Sequence, residues 1–230
     1  MSIYRRKDRL IHFIHIPKCG GASIRRLLGD NDWVDVTPDI PKDLRSEIRN
    51  KSRGRHSSHI HRKIWKEWQQ SYEFQFALIR NPYDRLISHL KQVTNNLNIT
   101  KIEMMYHVQQ FFDEIKNSHS VTTSDGDTTG GVGFADNHWR PQVDFIGKET
   151  CVYSIESDIE DLLCELMNRD IISKKSNMPH ERKGKWEFDN EIPWRNFLRT
   201  HDNFVNFYHL DFEVLGYNIT HFKQINHNKV

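Results

Sequence analysis

The sequence predicts a single α/β domain built on a parallel sheet. Two apolar runs, Leu10–Ile16 and Phe74–Ile79, are rich in β-branched or aromatic residues, and each ends at a polar turn that contains proline. A helical pattern follows each turn, and two strand-loop-helix units in one chain imply parallel strands. With 230 residues, 37% of them hydrophobic, the chain is long enough to bury a full core as one domain, 1–230.

The other elements follow from periodicity and from turn residues. A third strand is predicted at Cys151–Ile155, and Ser118–Gly133 is a mobile surface loop because Ser, Thr, Asp and Gly bury little apolar area. Helices are predicted at Ala22–Leu28, Lys42–Lys51, Ile60–Gln70, from the second turn to about Val93, at Lys101–Asn117, at Glu156–Met167 and in the tail from Trp194.

Charge and cysteine content exclude several classes. The 33 Lys and Arg residues nearly balance 31 Asp and Glu residues, which gives no bulk electrostatic reason to bind nucleic acid or membrane, so any anion site must be local. The three widely spaced cysteines indicate free thiols. The apolar run near the N-terminus is interrupted by His12 and His15 and falls short of the roughly 20 residues of a membrane span. We therefore expect a soluble, cytoplasmic protein.

The loop Pro17–Ser23 is the first candidate site. Its glycines lie between a predicted strand and a predicted helix, where main-chain N–H groups and the helix dipole favour a phosphate. It is not a Walker A loop, because Lys18 precedes the glycines instead of following them. This order disfavours a nucleotide triphosphatase. Alone, the loop is also compatible with a simple tight turn between strand and helix.

Two segments together resemble the donor-binding motifs of sulfotransferases that use 3'-phosphoadenosine 5'-phosphosulfate (PAPS), in the branch containing the Golgi carbohydrate enzymes. His15-Ile-Pro-Lys-Cys-Gly-Gly-Ala-Ser-Ile24 is similar to the 5'-phosphosulfate loop, and Phe76-Ala-Leu-Ile-Arg-Asn-Pro-Tyr-Asp-Arg-Leu-Ile-Ser88 is similar to the 3'-phosphate motif. The resemblance extends from about His12 to Tyr217. It implies a three-layer P-loop-like fold with a central parallel sheet flanked by helices, PAPS as the donor, and no required metal.

The resemblance assigns the donor site residue by residue. Arg80 would offer a planar fork to the 3'-phosphate beside Ser88, and Arg85 is interpreted as a structural ion-pair partner. Cys19 and Ala22 stand where the family often has threonine, which removes two hydroxyl donors but leaves the main-chain cradle. The implied 5' contacts are made by Lys18, Cys19, Gly20, Gly21, Ala22 and Ser23.

Sulfuryl transfer also needs a base and positive charge near the departing phosphate oxygen, which Lys18 can supply. The resemblance places the base upstream of Arg80, where His56, His59 and His61 lie, and a histidine is still basic near neutral pH. His56 best fits the spacing that the resemblance implies for the base. His59 is the main alternative and His61 is the third, and His61 is also a candidate for binding the acceptor. A metal site of these three histidines lacks a nearby cysteine or carboxylate set.

Two further segments have two interpretations each. Arg182 and Lys183 resemble the basic loop that covers the 3'-phosphate in cytosolic sulfotransferases, or form a solvated charge run. Asn137–Phe145 resembles a cleft-lining segment in which His138 and Gln142 orient the acceptor or the nucleotide, although packing of Trp139 and Phe145 explains it equally well.

The expected acceptor is a hydroxyl on a carbohydrate or a small alcohol. A nucleotide-dependent phosphotransferase and a non-catalytic polyanion-binding module, which would use the basic residues between Arg45 and Lys63, are the alternatives.

Overall fold

The computed structural model describes residues 2–37, 71–97, 100–117, 138–173, 177–179 and 192–218. The predicted helices Lys42–Lys51 and Ile60–Gln70 and the predicted loop Ser118–Gly133 lie outside the described residues. The strands are β1 (Ser2–Arg6), β2 (Arg9–Ile14), β3 (Val34–Asp35), β4 (Phe74–Ile79) and β5 (Cys151–Ser154). The helices are α1 (Gly21–Gly29), α2 (Pro82–Leu97), α3 (Lys101–Asn117), α4 (Ile159–Asn168), α5 (Ile192–Arg199), α6 (Asp202–Phe207) and α7 (His209–Val214).

The strands form one mixed sheet in the order β3-β1-β2-β4-β5. The pairs β2–β4 and β4–β5 are parallel, with Phe13 opposite Phe76 and Phe76 opposite Cys151, so the predicted parallel arrangement is confirmed for these three strands. The expectation of a parallel sheet is wrong at the other edge. There β1 pairs antiparallel with both β2 and β3. A two-residue turn at Lys7 and Asp8 folds β1 back onto β2 as a hairpin, which makes that pair antiparallel.

Two apolar clusters hold the described residues together. The first joins the sheet to α1 and α4, and β4 is buried on both faces except at Gln75. The second joins α2 to α3 and to the three C-terminal helices, with Trp194 1% exposed and Phe112 fully buried. Trp139 packs into the second cluster and Phe145 into the first, which confirms a packing role for these two aromatic residues. The second cluster fixes α2 beside the end of the sheet where β2 and β4 stop.

Buried histidines predict that the protein is sensitive to acid. His12 in β2 is fully buried, and burial lowers its pKa to about 3, although its Nδ1 contacts Gln75 Oε1 at 3.1 Å. The unfolded chain has a histidine pKa of roughly 6.5, so between these values the folded state binds fewer protons than the unfolded state. Stability is therefore lost as the pH falls from about 6.5 towards 3.

We expect His12 alone to cost about 2 kcal/mol of unfolding free energy between pH 6.5 and pH 5. Urea unfolding at both pH values measures this loss, and the non-titrating variant His12→Gln should lose less stability over the same interval. An equal loss in the variant and the natural protein would contradict the assignment.

Candidate functional site

The loop between β2 and α1 has a strained backbone at a lysine. Lys18 has φ 69° and Gly20 has φ 77°, both in the left-handed region. For a residue with a Cβ atom this conformation costs about 1–2 kcal/mol, so the surrounding contacts must hold Lys18 in place. One such contact is made by its ammonium group, which donates to Gln92 Oε1 at 3.0 Å. Strain of this kind is typical of residues that bind ligands.

The two glycines of the loop leave little room for a side chain. A Cβ atom on Gly21 would lie 1.9 Å from Nε2 of His15, and one on Gly20 would lie 3.2 Å from Cδ1 of Leu78. Helix α1 begins at Gly21 with no acidic residue in its first turn and no side chain that caps it. Its first N–H groups and its dipole therefore favour an anion at this point.

Arg80 leaves the end of β4 directly beside this loop. Because β2 and β4 are parallel neighbours, their carboxyl ends meet at one edge of the sheet. The guanidinium Nη1 of Arg80 donates to the carbonyl oxygen of Lys18 at 3.4 Å. Its Nε is buried and has no hydrogen-bond partner among the described residues. A buried cationic donor without an acceptor among the described residues is costly, and an anion at this point would satisfy it.

One face of α2 lies along the loop. Arg85 Nε donates to the carbonyl of Pro17 at 3.0 Å, and Gln92, two turns further on, accepts from Lys18. Ser88 comes between them at helical spacing, one turn before Gln92, and is half-buried. The structure thus brings the two predicted phosphate motifs together, with Ser88 on the helix face that borders both.

Arg85 has a structural role, as the sequence indicated, but its partners differ from the expected ion pair. The side chain is 2% exposed, and its other two donors bond the carbonyl oxygens of Arg140 at 2.8 Å and His138 at 3.0 Å. A planar guanidinium can bond three carbonyls at once, which a lysine cannot do in the same fixed geometry. Arg85 therefore joins the loop after β2 to the segment that begins at His138.

Gln142 is fully buried behind the strand end that carries Arg80. Its side-chain amide accepts from the Arg80 N–H at 2.9 Å and donates to the Arg80 carbonyl at 2.8 Å. The carboxylate of Asp211 accepts from the main-chain N–H groups of Gln142 and Val143. Burial raises the pKa of Asp211, and Arg85 together with these N–H donors opposes the rise. The contacts of Gln142 are those of a residue that positions Arg80.

His89 on α2 was not found from the sequence. It is 3% exposed, and its Nδ1 lies 2.8 Å from Nδ1 of His138. Burial, followed by the nearby charges of Lys18 and Arg85, lowers the pKa of His89 to about 3, so it stays neutral. A histidine on the apolar side of an amphipathic helix gives no separate sequence signal. Its pairing with His138, 49 residues away, is visible only in the folded chain.

All three cysteines are free, and burial raises the pKa of Cys19 to about 12, so its thiol stays protonated and donates to Gln142 Oε1 at 3.2 Å. The other candidates lie outside the described residues and stay predictions: His56, His59, His61, Arg182 and Lys183.

The described residues contain neither a cluster of metal ligands nor a helix that could span a membrane. No group of three or more His, Cys, Asp or Glu side chains in this part of the chain could hold a metal ion. No helix within the described ranges is long and apolar enough to cross a membrane.

The chain is similar in sequence to one known protein family. The family model described as the sulfotransferase family matches residues 2–218. This range includes both candidate anion-binding segments, the segment that begins at His138, and Asp211. No curated protein and no solved structure matches the chain. Because the family match covers nearly all of the sequence, the chain belongs to the sulfotransferase family.

Proposed function

We propose that the protein transfers a sulfuryl group from PAPS to a hydroxyl group, and that the acceptor is a carbohydrate. The observation that carries this proposal is the contact between the two anion-binding segments. The Arg80 guanidinium lies against the Lys18 carbonyl and keeps a buried Nε without an acceptor among the described residues. A donor with phosphates at both ends of one nucleoside fits two such sites side by side.

Each end of the donor has matching residues. The 5'-phosphosulfate fits the loop, where Lys18 supplies a charge and the N-terminus of α1 supplies main-chain N–H groups. Ser23 in the first turn adds the hydroxyl that the family resemblance implies. The 3'-phosphate fits Arg80, whose planar fork can bind two oxygens, and Ser88 on the adjoining face of α2.

The proposed reaction is an in-line displacement at sulfur. The bond from the acceptor oxygen to sulfur forms as the bond from sulfur to the 5'-phosphate oxygen breaks, and the hydroxyl proton passes to a histidine. The products are a sulfate ester and 3'-phosphoadenosine 5'-phosphate (PAP). Lys18 neutralises the charge that develops on the departing phosphate oxygen.

The histidine base and the acceptor site are proposals that rest on the family resemblance. We assign the base to His56, with His59 and His61 as rivals, and we assign acceptor contacts to His61 and His138. Gln142 was expected to contact the acceptor or the nucleotide as well. Its described bonds go to Arg80, Cys19 and Asp211, so any contact with the acceptor stays a prediction.

The donor site is tested by calorimetry without metal. We expect PAP to bind in the presence of a chelator and to bind more tightly than AMP, which lacks the 3'-phosphate. Arg80→Gln should weaken PAP binding about 10- to 100-fold, the range for losing hydrogen bonds to a charged group, and should leave AMP binding nearly unchanged. Arg5→Gln is the matched control, because Arg5 is exposed on β1.

Other binding patterns would overturn the proposal. A preference for ATP with magnesium would indicate a nucleotide-dependent phosphotransferase. Binding of sulfated polymers with no response to any nucleotide would indicate a polyanion-binding module without catalysis. Screening glycans and small alcohols with radiolabelled PAPS then identifies the acceptor class.

A further inference from the structure

We infer that Gln142 and Asp211 are positioning residues that set the 3'-phosphate site through the main chain of Arg80. We call Gln142, Asp211 and the Arg80 main chain the Gln142 clasp. The inference rests on the proposed function, because it concerns binding of the same donor. It assigns a role in donor recognition to two fully buried residues whose described bonds go to protein groups.

The orientation of the Gln142 amide is fixed by its partners. Its Nε2 lies 2.8 Å from the Arg80 carbonyl and 3.3 Å from Asp211 Oδ2, which are both acceptors, so this atom must be the NH₂ group. The Oε1 therefore faces the Arg80 N–H at 2.9 Å and the Cys19 thiol at 3.2 Å. Both hydrogens and both acceptor positions of the amide are used, so the side chain has one arrangement.

Asp211 fixes the other end of the clasp. It is fully buried on α7, and its two oxygens accept from Gln142 N–H at 2.9 Å and Val143 N–H at 3.0 Å in addition to the amide. One carboxylate thus holds both the main chain and the side chain of Gln142. A buried carboxylate is kept only when such donors surround it, so removing its charge should loosen the amide.

The clasp also joins the two ends of the donor site. Oε1 of Gln142 is shared by Cys19, which lies in the 5'-phosphosulfate loop, and by Arg80, which lies at the 3'-phosphate site. The distance between the two anion sites is therefore set in part by one buried amide group. A ligand that has both phosphates depends on this distance, whereas a ligand with one phosphate does not.

The experiment compares PAP with AMP in the intact chain and in two variants, Gln142→Met and Asp211→Asn. The natural protein should bind PAP more tightly than AMP. Both variants should lower the ratio of PAP affinity to AMP affinity about tenfold. They should also raise KM for PAPS while kcat at saturating PAPS stays within about twofold, because the reacting groups are untouched. Thermal unfolding checks that each variant is folded at the assay temperature.

Trp33→Phe is the matched control for lost stability. It removes one buried hydrogen bond, from Trp33 Nε1 to the Ile171 carbonyl at 2.8 Å, away from the site. Its PAP to AMP ratio should equal that of the natural protein. If the natural protein does not distinguish PAP from AMP, the proposed function fails. If it does, and both variants keep the natural ratio, the proposed function survives and the positioning role is wrong. If Gln142→Met does not fold, Asp211→Asn alone decides.

Discussion

Lys18→Met is expected to lower kcat by about 10²–10³-fold, the loss typical of removing one group that stabilises transition-state charge. The substitution keeps an unbranched side chain that is one atom shorter, and it removes the ammonium group that now contacts Gln92 Oε1. Charge develops on the phosphate oxygen as sulfur leaves, so the largest effect should fall on turnover. The measurement is the initial rate of sulfate transfer from labelled PAPS to an acceptor that the screen has identified.

The chain provides a close control for this substitution. Lys7 is also a lysine with a left-handed backbone, at φ 58°, and it lies exposed in the turn between β1 and β2. Lys7→Met should therefore reproduce any general effect of the change while leaving kcat at the natural value. Equal rates in Lys18→Met and Lys7→Met would show that the loop lysine does not assist departure of the phosphate.

His56→Ala is expected to abolish measurable turnover, a loss of about 10²–10⁴-fold for removal of a general base. PAP binding should stay nearly intact, because the proposed base would contact the acceptor and not the nucleotide. Rates are measured with labelled PAPS, and binding is measured by calorimetry on the same preparation.

The controls for the base are other histidines. His209→Ala removes an exposed histidine from α7, where its Nδ1 lies 2.7 Å from the Asn206 carbonyl, and should leave the rate unchanged. If His56→Ala turns over normally, the base lies elsewhere, and His59→Ala is the next variant to assay.

The sequence predicted most accurately the helices and strands whose residues have the same character along the whole element. Phe74–Ile79 was predicted with the bounds of β4, because five of its six residues are buried. Lys101–Asn117 was predicted with the bounds of α3, since no proline or glycine interrupts it. Strand β1 was missed because its polar residues resemble a frayed terminus. Pairing with both β2 and β3 makes it a strand.

The start of α4 was predicted three residues early, for a reason that concerns the site. Glu156 was placed in the helix, whereas it lies in a turn in which its N–H donates to Ser154 Oγ at 3.1 Å. Its carboxylate accepts from the N–H of Asn81 at 2.9 Å, next to Arg80. Local helix propensity favoured a helix that starts at Glu156. The contact between Glu156 and Asn81, 75 residues apart, instead keeps Glu156 in the turn before the helix.

The meeting of the two anion-binding segments could be predicted, because parallel neighbouring strands end at the same edge of a sheet. The arrangement behind them could not. Gln142 is 62 residues from Arg80 and 69 residues from Asp211. The sequence does not distinguish a buried glutamine from one on the surface. Nothing short of the folded chain shows which polar side chains turn inwards.

The three carbonyl bonds of Arg85 have a consequence for the kinetics of nucleotide capture. In the folded protein Arg85 already holds the loop after β2 against the segment that begins at His138. These two segments therefore need no ordering when the donor binds. Little conformational entropy is then lost on association, so a larger share of the contact energy is available as affinity. The association rate of the nucleotide should consequently be limited by diffusional encounter and not by rearrangement of these two segments.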